Sequence, residues 1–329
     1  MDETKSAPKR KPPNEEELRR LIFERTGRTV RSPRIREDTS NFLQIEYDDI
    51  LLLEDRIFLI KNCEREGRFG LDDEPKFWVR RALDLDDGEQ RIIKMVFRES
   101  FESSAGGMLF QCVRSPRKEA RVLEIVRGHK HFMQGITLRD VQDNPIRVLD
   151  VIWGESLSRE IDLLECGHEE YYYEILPGLL REFTELVRAV RFLHGAGEKH
   201  GDIRRDHILR DRSTGLLRWI DFDYNIKHGE NMYAYDLFGL GNVLVFLSGR
   251  GDVNLSDLKK NAPEEWSRIE PGDENVIFKN RLVNLKKVFP YVSESLNLIL
   301  LHFSTGASLH YENADELIED LEAALAQMD

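Results

Sequence analysis

The sequence predicts an α+β fold, and three observations carry that reading. Short strand-like runs crowd the stretch from Ile45 to Phe97, helix-period stretches dominate after Tyr171, and an acid-rich hairpin, HGDIRRDHILRDRSTGLLRWIDFD (200–223), stands among the helices.

Residues 1–40 are rich in charge and proline, and only Leu18, Leu21, Ile22 and Phe23 have the bulk to pack. This stretch is expected to be a flexible charged arm carrying one short helix. From Ile45 to Phe97 the runs DDILLLE, RIFLI, FWVRRAL and RIIKMVF, separated by EDR, GRFG and DDGEQ, read as an antiparallel meander. Lys94 lies in the last of these on the same alternate row as Ile92 and Val96, so it faces a core and needs an anion. The next helix opens with Ser115 as N-cap and Pro116 in its first turn. Within it Glu119, Val122, Leu123 and Val126 share the buried stripe. A core-facing Glu and a core-facing Lys are costly apart and tolerable together.

GITLRDVQ and IRVLDVI, joined by DNP, form a further hairpin, while SLSREIDLLECGHEE carries mixed signals. A long amphipathic helix is expected from about Tyr171 to Leu193, closed by the glycines of HGAG. In the 200–223 stretch, Ile208–Leu209 and Leu216–Ile220 are the strands and DRSTG is the turn. Asp202 precedes this hairpin and Asp221 follows it. Two carboxylates at one end of a rigid hairpin suit a divalent cation and a hydroxyl nucleophile, although acids at hairpin ends are also ordinary turn formers. Asn313 and Glu316 have capping-box spacing for a last helix with Leu317, Leu321 and Leu325 as its core stripe.

The 329 residues, 40% of them hydrophobic, suffice for one large or two modest globular units. A formal charge of −13 argues against nucleic-acid or anionic-membrane partners. NVLVFL and LNLILL are the longest apolar runs, far short of the ~20 residues of a membrane span, and no signal-peptide pattern is read. Three scattered cysteines fit neither a disulfide framework nor a zinc site, so a cytoplasmic setting is expected.

HGDIRRDH resembles the catalytic loop H-R-D-L-x-x-x-N of the protein kinase superfamily, and DFD resembles its D-F-G. The resemblance implies that Asp202 is the catalytic base, that Arg204 is a cation near the transferred phosphoryl group, and that Asp221 is the Mg²⁺ ligand. His207 stands where the family has the Asn that holds a second Mg²⁺, Asp223 stands where it has Gly and would add a metal-binding carboxylate close to Asp221, and Gly201 replaces the loop arginine. REGRFG (65–70) resembles the glycine-rich loop, which would make Gly67 and Gly70 a phosphate cradle. Lys94 matches the strand lysine that reaches the α and β phosphates, and Glu119 matches its helix partner. Trp153, Gly154 and Glu155 match the hinge that meets the adenine edge. Asp236, opening DLFGLG, would anchor the catalytic loop from below, and His194 and His200 would be packed structural imidazoles. The A-P-E motif has no counterpart, and His310 stands where its arginine partner would be.

The resemblance covers roughly residues 50–329. It implies a two-lobed fold, with a lobe of five antiparallel strands and one helix at 41–154 and a mainly helical lobe at 155–329. The implied activity is ATP-dependent phosphoryl transfer, with Mg²⁺ or Mn²⁺, to a protein Ser or Thr hydroxyl or to the chain itself. The alternatives are a nucleotide-binding pseudokinase that signals by docking, and a kinase of small molecules like the related aminoglycoside and lipid-sugar kinases. The phosphoryl acceptor, whether protein or small molecule, has no signature in the sequence.

Overall fold

A computed structural model describes residues 13–66, 74–105, 108–227 and 231–328. The chain divides into two compact units. The first comprises Met1–Arg98, Ser115–Arg127 and Met133–Val151, and the second Glu99–Arg114, Gly128–Phe132 and Ile152–Asp329.

The first unit is built on a seven-stranded sheet: β1 (Ile35–Arg36), β2 (Ile50–Leu53), β3 (Arg56–Glu66), β4 (Glu74–Asp84), β5 (Gln90–Lys94), β8 (Gly135–Arg139) and β9 (Pro145–Asp150). Their order is β1-β2-β3-β4-β5-β9-β8, parallel only between β1 and β2. The expected count of five strands is therefore corrected to seven. The antiparallel set β3-β4-β5-β9-β8 is extended on one edge by β2 and β1.

Of the arm expected over residues 1–40, residues 1–12 lie outside the described residues; within 13–40 the expected short helix forms and, with β1, docks onto that sheet. Helix α1 (Glu15–Thr26) starts at a capping box between Asn14 and Glu17 and ends at Gly27, whose φ of 65° is the left-handed C-cap conformation. It buries Leu18 and Ile22 against Ile50, Leu52, Ile57, Leu59 and Leu85. The alternate residues Leu51, Leu53, Phe58 and Ile60 form a second core on the opposite face, with Ala82, Ile93, Met95 and Val148. All four residues of β2 are consequently buried, as its unbroken apolar run requires. The helix α2 (Pro116–Ile125), N-capped by the Ser115 hydroxyl, buries Glu119, Val122 and Leu123 in this unit.

In the second unit the expected hairpin forms as β10 (Ile208–Arg210) and β11 (Leu217–Trp219), with Ile208 opposite Trp219. A three-stranded sheet has the order β12-β7-β6, from β6 (Ser100–Ala105), β7 (Met108–Arg114) and β12 (Tyr224–Lys227). The hairpin β6–β7 was not anticipated, although Gly106–Gly107 between two short runs is a hairpin spelling. The long helix α4 (Leu176–Gly195) follows α3 (Leu157–Asp162) and a π-type turn at Tyr171–Ile175, and it buries Phe183, Leu186, Val187, Val190 and Leu193. Helix α5 (Ala234–Ser248) is apolar nearly all round and buried accordingly. The last helix, Ala314–Leu325, is N-capped by Asn313 and buries Leu317, Leu321 and Leu325. Among the described residues no helix is long and apolar enough to cross a membrane.

Candidate active site

The stretch that carries Asp202 is held by one carboxylate beneath it. Asp236, in the first turn of α5, is fully buried. Its Oδ2 accepts the His200 N–H at 2.8 Å and the His194 Nε2–H at 2.9 Å, and its Oδ1 accepts the Gly201 N–H at 2.8 Å. These hydrogen bonds and the neighbouring imidazoles outweigh the cost of burial and hold the carboxyl down at about 2. Gly201 has φ 82°, a conformation that an arginine at this position would adopt only with strain. Close packing below the loop also needs a glycine in α5, since a Cβ on Gly239 would lie 2.7 Å from the Ile203 Cβ.

His200 is an inward-facing structural ring, edge-on to Trp219 and Phe222 and accepting the Asp202 N–H at Nδ1, 3.3 Å away. His194 stacks on Tyr233 at 3.9 Å. Both histidines thus have packed, hydrogen-bonded roles.

Asp202, Asp221 and His207 come together. The His207 Nδ1 is 2.9 Å from the Asp202 carbonyl and 3.4 Å from its carboxylate, and Nε2 is 3.8 Å from Asp221 Oδ2. A carbonyl oxygen only accepts, so Nδ1 carries the proton in that bond. Burial raises the Asp202 carboxyl above its ordinary value; His207 and Arg204 oppose the rise, while Asp223 and Asp221 add to it. Asp221 sits at φ 58°, in the sparsely populated left-handed region, between buried Ile208–Trp219 strands and the fully buried Phe222.

Three expected site residues are engaged elsewhere. Asp223 Oδ2 takes a 2.6 Å ion pair from Arg114 Nη1, both side chains being buried. Arg204 pairs with Asp206, with Nε 3.0 Å from Oδ1. Glu155 accepts from Arg212 Nη2 at 3.0 Å through its carboxylate and from the Arg210 N–H at 3.0 Å through its carbonyl. Gly154 lies so close to the Arg210 carbonyl that a Cβ there would approach to 1.6 Å, so this segment is fixed against β10. Gly67 and Gly70 lie outside the described residues.

In the first unit, Lys94 Nζ lies 2.7 Å from Glu119 Oε1, both essentially buried. The pairing of core-facing residues expected from periodicity is present. A second cation, missed in the sequence, shares the carboxylate: Arg147 Nε is 2.9 Å from Glu119 Oε2. Its signal was available, because Arg147 sits inside the apolar strand IRVLDV opposite Lys94 in the β5–β9 register.

Among the described residues, no three His, Cys, Asp or Glu side chains are arranged to hold a metal ion by themselves. Asp221 nevertheless fits Mg²⁺, an ion usually bound through one or two carboxylates plus phosphate oxygens. Asp223, turned to Arg114, fits less well.

No family model matches the chain. Similarity to curated proteins does appear. A putative ribosomal protein S6 kinase alpha-2 of Caenorhabditis elegans is 31% identical over 151 residues, 44% of this chain and 17% of that protein. A death-associated protein kinase of the same organism is 26% identical over 162 residues, 49% of this chain and 11% of that protein. Over about half of its length the chain is thus similar to protein kinases. A human 2-5A-dependent ribonuclease is also similar, at 25% identity over 175 residues, 52% of this chain and 22% of that protein. The chain spans 11–22% of the length of these three relatives.

Proposed function

We propose that this chain is a protein kinase-like phosphotransferase that moves the γ-phosphoryl group of ATP onto a hydroxyl, on a protein Ser or Thr or on itself. The carrying observation is the Asp202 loop, pinned by Asp236 from below and by His207 at its side, with Asp221 adjacent. In this reading Asp202 orients the acceptor hydroxyl and takes its proton as the new O–P bond forms and the bond from the γ-phosphorus to the β–γ bridging oxygen breaks, with ADP as the leaving group. The raised carboxyl of Asp202 makes it a better proton acceptor than an ordinary Asp. Asp221 would hold Mg²⁺, which supplies charge neutralisation to the phosphates when bound. Lys94, aimed by Glu119, would take phosphate oxygens. Arg204 acts through Asp206, whose carboxyl it holds below the usual range, and thereby stiffens the loop.

The pseudokinase reading has its own support, in that Arg114 engages Asp223 and the loop carries His207 in place of an oxygen ligand. One experiment separates the two: incubation with γ-labelled ATP and Mg²⁺ or Mn²⁺, alone and with protein and small-hydroxyl acceptors. Label in the wild type that falls roughly 10²-fold or more in Asp202→Ala, with ATP binding retained, supports phosphoryl transfer. Equal label in both proteins discards the role of Asp202. ATP binding without label under any condition favours the pseudokinase.

A further inference from the structure

The segment that follows Asp221 lacks the usual means of being held in place by modification. Between Asp223 and Asp236 there are only twelve residues, none of them Ser or Thr. Gly201 occupies the loop position at which an arginine could receive a phosphate. The tyrosine hydroxyls of this stretch already have partners: Tyr224 donates to Glu99 at 2.6 Å, Tyr233 donates to the His194 carbonyl at 2.7 Å, and Tyr235 interacts with Ser103 and Cys112.

What holds the segment is the β6–β7 hairpin. Strand β12 pairs with β7 over Tyr224–Arg114, Asn225–Val113, Ile226–Cys112 and Lys227–Gln111. Arg114 is the hub: Nη1 donates to Asp223 Oδ2 at 2.6 Å, Nη2 donates to the Tyr224 hydroxyl at 2.6 Å, and Nε donates to Glu99 Oε2 at 3.3 Å. Its guanidinium also lies 4.6 Å from the Tyr224 ring centroid. Glu99 and Arg114 are joined again by the Arg114 N–H to the Glu99 carbonyl at 2.9 Å, which closes the hairpin. Lys199, beside the catalytic loop, adds a 2.7 Å bond to the Ile226 carbonyl.

Asp221 itself occupies a left-handed backbone conformation that is strained for a non-glycine residue and persists only when its flanks are fixed. One flank is buried Phe222; the next residue, Asp223, is the one Arg114 grips.

We propose that Arg114 is a positioning residue for Asp221, and that the Glu99–Arg114 hairpin is a built-in lock that keeps the Asp221–Lys227 segment in register without phosphorylation. The effect on turnover rests on the phosphotransferase reading; the lock itself does not.

The test uses the full chain as Arg114→Met, Arg114→Lys, Asp223→Asn and the double variant Arg114→Met with Asp223→Asn. Amide hydrogen exchange over 221–227 should accelerate about tenfold or more in Arg114→Met and Asp223→Asn, with little further change in the double variant, while helix 314–325 keeps its protection. Arg114→Lys should recover part of the protection, since it restores charge without the fork. In the phosphotransfer assay KM for metal–ATP should rise about tenfold and be partly recovered by excess Mg²⁺, whereas mere loss of folded protein would lower the rate at unchanged KM. Exchange over 221–227 unchanged in a folded Arg114→Met overturns the lock, whatever the turnover. If Arg114→Met does not fold, Asp223→Asn and Tyr224→Phe carry the exchange measurement, and wild-type protection in both overturns it equally. A wild type without turnover but with the exchange response sinks the phosphotransferase reading and leaves the lock standing.

Discussion

The carboxylate of Asp236 receives the N–H of Gly201 at 2.8 Å, so a side chain from α5 fixes the backbone one residue before Asp202. The consequence can be read as acid sensitivity. The Asp236 carboxyl is held at about 2, below its ordinary 3.8. Because the folded-state value is the lower one, its contribution is fully present above the unfolded value and fades as pH falls from about 4 through about 2. Asp236→Asn should therefore be less stable than wild type at neutral pH, with a pH-linked part of ~2 kcal/mol. That part should shrink across this window in urea unfolding series. A constant difference from pH 7 to pH 2 would mean that the ionised carboxylate contributes nothing beyond its shape.

Lys94 and Glu119 should respond unequally to substitution. Glu119 is shared by Lys94 and Arg147, so Glu119→Gln leaves two buried cations facing a neutral amide and should cost ~3–5 kcal/mol. Lys94→Met leaves Glu119 on Arg147 and should cost ~1 kcal/mol or less. ATP with Mg²⁺ should raise the melting temperature of the wild type by mass action, and by much less in Lys94→Met. Saturating nucleotide that moves neither protein would remove both the phosphotransferase and the pseudokinase readings.

The sequence was most legible where a polar residue broke an apolar pattern. Lys94 in RIIKMVF, Glu119 on a buried helical stripe and Asp236 at the head of an apolar helix each had to find a partner, and each does. Arg147 in IRVLDV carried the same signal and was passed over. Less legible was anything set by pairing between distant segments. Asp223 reads as one more acid beside Asp221, and only the register of β12 on β7 shows that it belongs to Arg114, 109 residues earlier in sequence. In the described part of the amino-terminal stretch the expected short helix is present, but its docking was not read: the unbroken ILLL of β2 demanded a cover on the outer face, which α1 supplies with just two fully buried side chains.

That cover makes its own prediction. Leu18 and Ile22 are 1% and 0% exposed, while Phe23 on the same helix is 57% exposed. Ile22→Ala should lower unfolding free energy by ~2–4 kcal/mol, and Leu18→Ala by a similar amount. Phe23→Ala should stay within about 0.5 kcal/mol of wild type. Equal effects at the three positions in chemical denaturation would mean that α1 does not dock through this face.

His207 is expected to set the metal preference. Its Nδ1–H is directed to the Asp202 carbonyl at 2.9 Å, so in the neutral ring the lone pair lies on Nε2, the nitrogen that faces Asp221 at 3.8 Å. Mg²⁺ takes oxygen ligands, whereas imidazole suits the later first-row ions better. Mn²⁺ should therefore support the ATP-dependent melting shift at least as well as Mg²⁺. In His207→Asn, which returns an amide oxygen, the balance should move toward Mg²⁺, and in His207→Ala the advantage of Mn²⁺ should vanish. Metal titrations of the shift at fixed ATP test this in all three proteins. A strict Mg²⁺ requirement that persists unchanged in His207→Ala would restrict His207 to its backbone bond, as a prop for the loop that carries Asp202.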